Sequence, residues 1–129
     1  MKLLLDTHIA LWAIILDRRL SARARGLIAD PGNDIYVSVA SLWEIGMKRQ
    51  AGRKSAPPVS AARAADRFVA SGYNLLSVSA DHAVAVEALD AIHADPFDRL
   101  IIAQALTEPM RLMTHDTTVA RYSDSIIHV

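Results

Sequence analysis

The chain contains no cysteine. That absence excludes a disulfide framework, a thiolate metal site and a cysteine nucleophile. Aromatic residues make up only 5% of the 129 positions. No series of stacking platforms for single-stranded nucleic acid is therefore present. The five glycines, Gly26, Gly32, Gly46, Gly52 and Gly72, never cluster. A dinucleotide fingerprint or a phosphate-cradling loop would need them together. No apolar run approaches the ~20 residues of a membrane span. Asp6 and Asp17 break the apolar N-terminal stretch, so a mature cytoplasmic start is expected, not a signal peptide. Neither sign of charge is in excess, with 14 Lys+Arg against 14 Asp+Glu. A globally basic nucleic-acid binder is not expected.

What is present suits an ordinary globular protein. Hydrophobic residues are 52% and charged residues 22% of the chain. The length predicts one domain, 1–129, able to bury roughly two thirds of the surface of its unfolded form. The charge is unevenly placed. Residues 1–67 hold eleven basic and six acidic side chains, whereas residues 68–129 hold three and eight. The basic groups cluster at Arg18/Arg19/Arg23/Arg25 and Lys48/Arg49/Arg53/Lys54. Such patches serve either as solvated helix ends or as phosphate contacts.

Short apolar runs at Leu3–Leu5, Ile35–Val37, Leu75–Val78, Leu112–Thr114 and Ile126–Val129 read as strands covered on both faces. Helical patterns lie between them. These cover 7–16, then Ser21 through Ile28, then Val39 to Gln50, then Ser60 to Ser71 with Gly72 as the stop. Ala85, Val86, Leu89 and Ile92 extend a further helix from Ser79 to Ile92. Pro96 opens a last one, through Leu106, as a first-turn proline. Strands alternating with helices predict an α/β fold with a mostly parallel sheet. Such sheets place their ligands beyond the carboxyl ends of the strands.

Five carboxylates belong to that edge. Asp6 follows the first strand, and Glu44 lies early in the helix after the second. Asp95 and Asp98 open the Pro96 helix, and Asp116 follows the fourth strand. Each has an ordinary reading. Asp6 and Asp95 suit helix caps, Ser41-x-x-Glu44 a capping box, Asp98 a dipole partner and Asp116 an Asx turn. Together they conflict, because two carboxylates ~4 Å apart repel by about 4 kcal/mol at an effective dielectric near 20. A hard divalent cation relieves that repulsion. Oxygen ligands without thiolates suit Mg²⁺ or Mn²⁺. An open acidic site of this kind activates water for phosphodiester hydrolysis.

The stretches Leu4-Leu5-Asp6-Thr7-His8, Ser38-Val39-Ala40-Ser41-Leu42-Trp43-Glu44-Ile45, His93 through Ala105 with its Asp95-Pro96-Phe97-Asp98-Arg99 core, and Thr114-His115-Asp116 resemble the PIN-domain ribonucleases, most closely the VapC-type toxins of type II toxin–antitoxin systems. The resemblance spans the whole chain. It implies a three-layer α/β/α sandwich with a parallel sheet of four to five strands in order 3-2-1-4-5. Asp6, Glu44, Asp98 and Asp116 carry over as catalytic acids around Mg²⁺ or Mn²⁺. Asp95 is a further acid, either on the metal's water or simply a cap. Ser38 and Thr114 carry over as hydroxyls that orient a carboxylate or water. The resemblance also implies a cytoplasmic endoribonuclease toxin acting on structured RNA, neutralised by a cognate antitoxin, forming a homodimer and needing no membrane. Arg99 is a candidate RNA contact or a surface ion-pair partner. The five histidines form no ligand pair or triad order. Trp12 and Trp43 read as core or partner-facing surface. A non-catalytic RNA-binding or interaction module on the same fold is the alternative. A receiver-like domain is disfavoured, since only Asp6 stands at the first strand and no lysine follows Lys54.

Overall fold

A computed structural model describes residues 1–129. Its elements run β1 (Lys2–Leu5), α1 (Thr7–Ile15), α2 (Ala22–Ala29), β2 (Asp34–Ser38), α3 (Val39–Gln50), α4 (Ala61–Ala70), β3 (Asn74–Leu76), α5 (Ala80–Ala85), α6 (Pro96–Thr107), β4 (Arg111–Thr114), α7 (Thr117–Ala120) and β5 (Ile127–His128). The five strands form one sheet in the order β3-β2-β1-β4-β5. Every neighbouring pair is parallel.

The continuous apolar run of β1 is explained by two cores. Successive side chains of a strand point to opposite faces. Leu3 and Leu5 accordingly join Ile9, Ala24, Ile45, Ala64 and Phe68 on one side. Leu4 joins Ile101, Ile102, Ala105 and Leu112 on the other. All three leucines are fully buried. The helices therefore cover both faces, α1, α2 and α4 on one and α6 on the other. No helix is long and apolar enough to cross a membrane.

Short polar side chains set the helix starts. Asp6, Ser21, Ser38, Ser60, Ser79, Asp95 and Asp116 each accept a backbone N–H at an N-cap. The helix expected from Ser79 to Ile92 is shorter than its apolar spacing suggested. The α-helix ends at Ala85 and one turn of 3₁₀ helix, Val86–Ala88, follows. Arg99 supplies the reason. Its guanidinium donates to the carbonyls of Val86, Asp90 and His93 at 3.0–3.3 Å. These bonds tie the turn after α5 and the 90–93 loop to the first turn of α6.

The chain moves outward from β1 to β2 and β3, then returns to place β4 on the other side of β1. The crevice between β1 and β4 at their carboxyl ends is thus the switch point where such sheets bind ligands. Asp6 and Asp116 stand at that crevice, immediately after β1 and just beyond β4.

Candidate active site

Asp6 continues the β1–β4 pairing, its backbone N–H donating to Met113 O at 3.0 Å. Its Oδ1 caps α1 through Ile9 N at 2.9 Å, and its Oδ2 accepts from the Thr114 hydroxyl. Thr114 Oγ1 in turn accepts from Asp116 N at 3.0 Å. One buried hydroxyl thereby ties the acid after β1 to the acid after β4. Burial pushes the Asp6 carboxyl above its usual range. The Thr114 hydroxyl and Ile9 amide oppose that rise, and the charge of Glu44 adds to it.

Glu44 is 2% exposed. Its Oε1 accepts from Thr7 Oγ1 at 2.7 Å, and Thr7 also shares a 2.9 Å hydrogen bond with Ser41 Oγ. Lys48, one turn further along α3, pairs with Oε2. The capping-box reading of Ser41 and Glu44 does not hold. Ser38 caps α3 instead, through Ala40 N at 3.0 Å. Ser41 and Glu44 lie within the helix and face Thr7. Ser38 is buried at the end of β2, and this cap is the only hydrogen bond its side chain makes.

Asp95 caps α6, its Oδ1 accepting from Phe97 N at 2.9 Å and Asp98 N at 3.0 Å. Asp98 projects from the first turn, where His93 Nε2 meets its Oδ2 at 2.7 Å. Its pKa is pushed up to about 6, first by burial and then by the charges of Asp95, Asp6 and Glu44. The His93 hydrogen bond opposes that rise. Asp116 caps α7 through Thr118 N at 2.8 Å. Single ligand atoms of His93, Asp98 and Asp116 lie within 4.8 Å of one another.

Asp98 thus links both groups of acids: it feels Asp6, Glu44 and Asp95 and stands beside Asp116. Lys48 is the only lysine or arginine paired with any of the five. A crowded set of hard oxygen donors with so little internal compensation fits a divalent cation. The imidazole of His93 adds a nitrogen at its rim.

Thr7, Ser41, Lys48 and His93 were not singled out from the sequence as members of the site. Thr7 is adjacent to Asp6, and Ser41 and Lys48 flank Glu44 by one turn each, so helical spacing was the available signal. His93 opens the stretch that runs to Ala105, but its approach to Asp98 depends on the loop that Arg99 and Tyr122 hold. His93 N donates to Tyr122 Oη at 2.8 Å, and Arg99 reaches the same oxygen at 3.2 Å. Arg99 forms no ion pair; its guanidinium donates instead to backbone carbonyls and to Tyr122 Oη.

Beside Glu44 a groove of about 670 Å³ runs between α1, α3 and the 53–58 loop. Leu11, Trp12, Ile15 and Ile45 supply its apolar wall; Arg19, Lys48, Arg53 and Lys54 supply positive charge. Trp12 is buried, whereas Trp43 is 60% exposed and packs edge-on to Phe97 at 5.0 Å between ring centres.

The fold recurs in solved structures. VapBC2 from Rickettsia felis bound to a DNA fragment from its promoter aligns with a TM-score of 0.70 and 20% identity, covering 100% of this chain and 98% of that one. DNA-bound VapBC from Salmonella typhimurium gives 0.69 and 16%, covering 100% and 97%. VapC20 from Mycobacterium tuberculosis, a sarcin–ricin loop cleaving toxin, gives 0.60 and 20%, covering 98% of each chain. Among curated protein sequences none matches significantly. The family model of the PIN domain matches residues 3–124, a span that includes all five acids, and the chain belongs to that family.

Proposed function

We propose that this protein is a metal-dependent endoribonuclease, the VapC-type toxin of a toxin–antitoxin pair, acting on structured RNA in the cytoplasm. The observation that carries this reading is the approach of ligand atoms of His93, Asp98 and Asp116 to within 4.8 Å of one another, with Asp6 and Glu44 near enough to add to the rise that burial chiefly imposes on Asp98, up to about 6. Mg²⁺ or Mn²⁺ bound there would supply Lewis acidity toward a phosphodiester and lower the pKa of a water.

The chain's own residues do the rest. Asp6, Asp98 and Asp116 offer oxygens from three rigid junctions, each fixed by a helix cap or a helix first turn. Glu44 presents a carboxylate aligned by Thr7. Thr114 holds Asp6 and the Asp116 backbone in register, so little reorganisation is needed when charge develops on the phosphorus oxygens. His93 orients Asp98. Asp95 acts chiefly as the α6 cap, and Ser38 as the α3 cap.

The two VapBC structures are complexes of toxin with antitoxin. By analogy, a cognate antitoxin segment would dock in the apolar groove beside Glu44 and obstruct the acids. The exposed stripe of Val39, Trp43 and Met47 on α3 supports a homodimer, since three large apolar side chains one turn apart share a helix face. VapC20's cleavage of the sarcin–ricin loop is consistent with structured RNA as the substrate class here.

The test is cleavage of total RNA with Mg²⁺ or Mn²⁺ by the native chain, Asp6→Asn and Asp98→Asn. Cleavage by the native chain alone is expected. Undiminished cleavage by both variants, or none by any protein with either metal, would remove this reading.

A further inference from the structure

The two oxygens of Glu44 are both occupied. Thr7 holds Oε1 and Lys48 holds Oε2. The two partners differ in kind. Thr7 is buried and fixed by Ser41, whereas the Lys48 side chain is 44% exposed at the lip of the groove that Glu44 also lines. A lysine ammonium is a point charge on a flexible four-carbon stem, with no geometry of its own to lose. Arg53 and Lys54 line the same groove.

We propose that Lys48 is an exchangeable counter-ion that couples metal loading to RNA binding. It neutralises Glu44 in the metal-free protein. A divalent cation taking Oε2 repels the ammonium strongly at contact distance. Lys48 then swings to the groove, where it, Arg53 and Lys54 meet the phosphates of an RNA strand. This inference rests on the nuclease reading above and names what that site does with its one lysine. Lys48 thus competes with metal and cooperates with RNA. Its removal shifts the two affinities in opposite directions, whereas loss of a merely structural residue weakens both.

The experiment uses the full chain. Mn²⁺ binding is measured by calorimetry, and binding of a fluorescent RNA hairpin in Ca²⁺ by polarisation. Lys48→Met is expected to bind Mn²⁺ about threefold tighter or more, and to bind the hairpin about tenfold more weakly, with a salt slope lower by about one. Lys48→Arg keeps the charge and stays near the native values for both. Lys48→Gln gives the same signs as Lys48→Met and serves if burying an uncompensated Glu44 unfolds the methionine variant. In a Glu44→Gln background the tightening disappears. Unchanged or weaker Mn²⁺ binding, tightening that survives in Glu44→Gln, or unchanged hairpin affinity would each overturn the exchange. Asp98→Asn separates the two levels. If it leaves Mn²⁺ and hairpin binding untouched, the nuclease reading itself fails. If it abolishes Mn²⁺ binding while Lys48→Met tightens nothing, only the exchange fails.

Discussion

The two halves of the acidic site are built differently. Asp6 and Glu44 are buried and surrounded by Thr7, Ser41, Thr114 and Lys48, so each has a dedicated hydrogen-bond partner from another segment or from the next turn of its helix. Asp98 and Asp116 are part-buried at helix starts, with His93 as the only side chain hydrogen-bonded to either carboxylate. The first half is a rigid wall whose polar groups satisfy one another. The second half is left short of positive charge and, under the proposed function, is the side that a cation would complete. Rigidity on one side and unmet charge on the other let the site be preorganised and still bind.

The sharpest way to break this contrast is Asp98→Asn. With metal, RNA cleavage is expected to fall by about 10²–10³-fold, the usual cost of losing one stabilising group at a transition state. Without metal, the same variant is expected to melt at a higher temperature than the native chain, because it removes the charge that its neighbours oppose. A lower melting temperature would show that Asp98 is compensated after all.

Thr7→Val tests the other half. It strips the hydroxyl from buried Glu44 and is expected to cost about 1–3 kcal/mol in urea unfolding. His93→Gln, at the half-exposed rim, should cost less than about 1 kcal/mol while weakening Mn²⁺ binding. Equal stability losses would erase the distinction between wall and rim.

The pH dependence follows from Asp98, with Asp6 shifted in the same direction. The folded-state pKa of Asp98 is about 6 against an ordinary 3.8, so the folded protein holds its proton more tightly than the unfolded one. The resulting stability is complete below pH 3.8 and is lost as pH rises through about 6. Between pH 7 and 5 the metal-free chain should therefore gain stability from this group, by roughly 1 kcal/mol. Saturating Mn²⁺ should reverse the trend, since ligation favours the ionised acids. Melting curves across that range, with and without metal, check the sign.

The smallest effect is expected at Asp95. Asn preserves a helix cap, so Asp95→Asn should change stability by no more than a few tenths of a kcal/mol, whereas Asp95→Ala should cost about 1 kcal/mol. A large loss of Mn²⁺ affinity in Asp95→Asn would make it a ligand and not simply a cap.

Much of this was legible in the residues. The unbroken apolar run Leu3–Leu5 predicted a strand buried on both faces, and the two cores flanking β1 show why. Five acids at strand ends and helix starts predicted one polar edge, because in an all-parallel sheet those positions share an end. Asp95-Pro96 marked the start of α6 to the residue. The overextended helix after Ser79 failed for an equally physical reason. Its apolar spacing was real, but Arg99 anchors the 86–93 segment to α6 in a non-helical course, from a distance in sequence that no periodicity reports.

Local sequence by itself determined where strands and helices begin, which side chains are apolar enough to be covered, and which acids lie at the carboxyl edge of the sheet. These depend on neighbours within a few positions. Only the tertiary structure decided that Thr7 serves Glu44 across 37 positions and Thr114 serves Asp6 across 108, that His93 turns onto Asp98, and that Arg99 faces inward. Hydrogen bonds between distant segments are set by how the sheet closes, and a linear pattern carries no record of that distance.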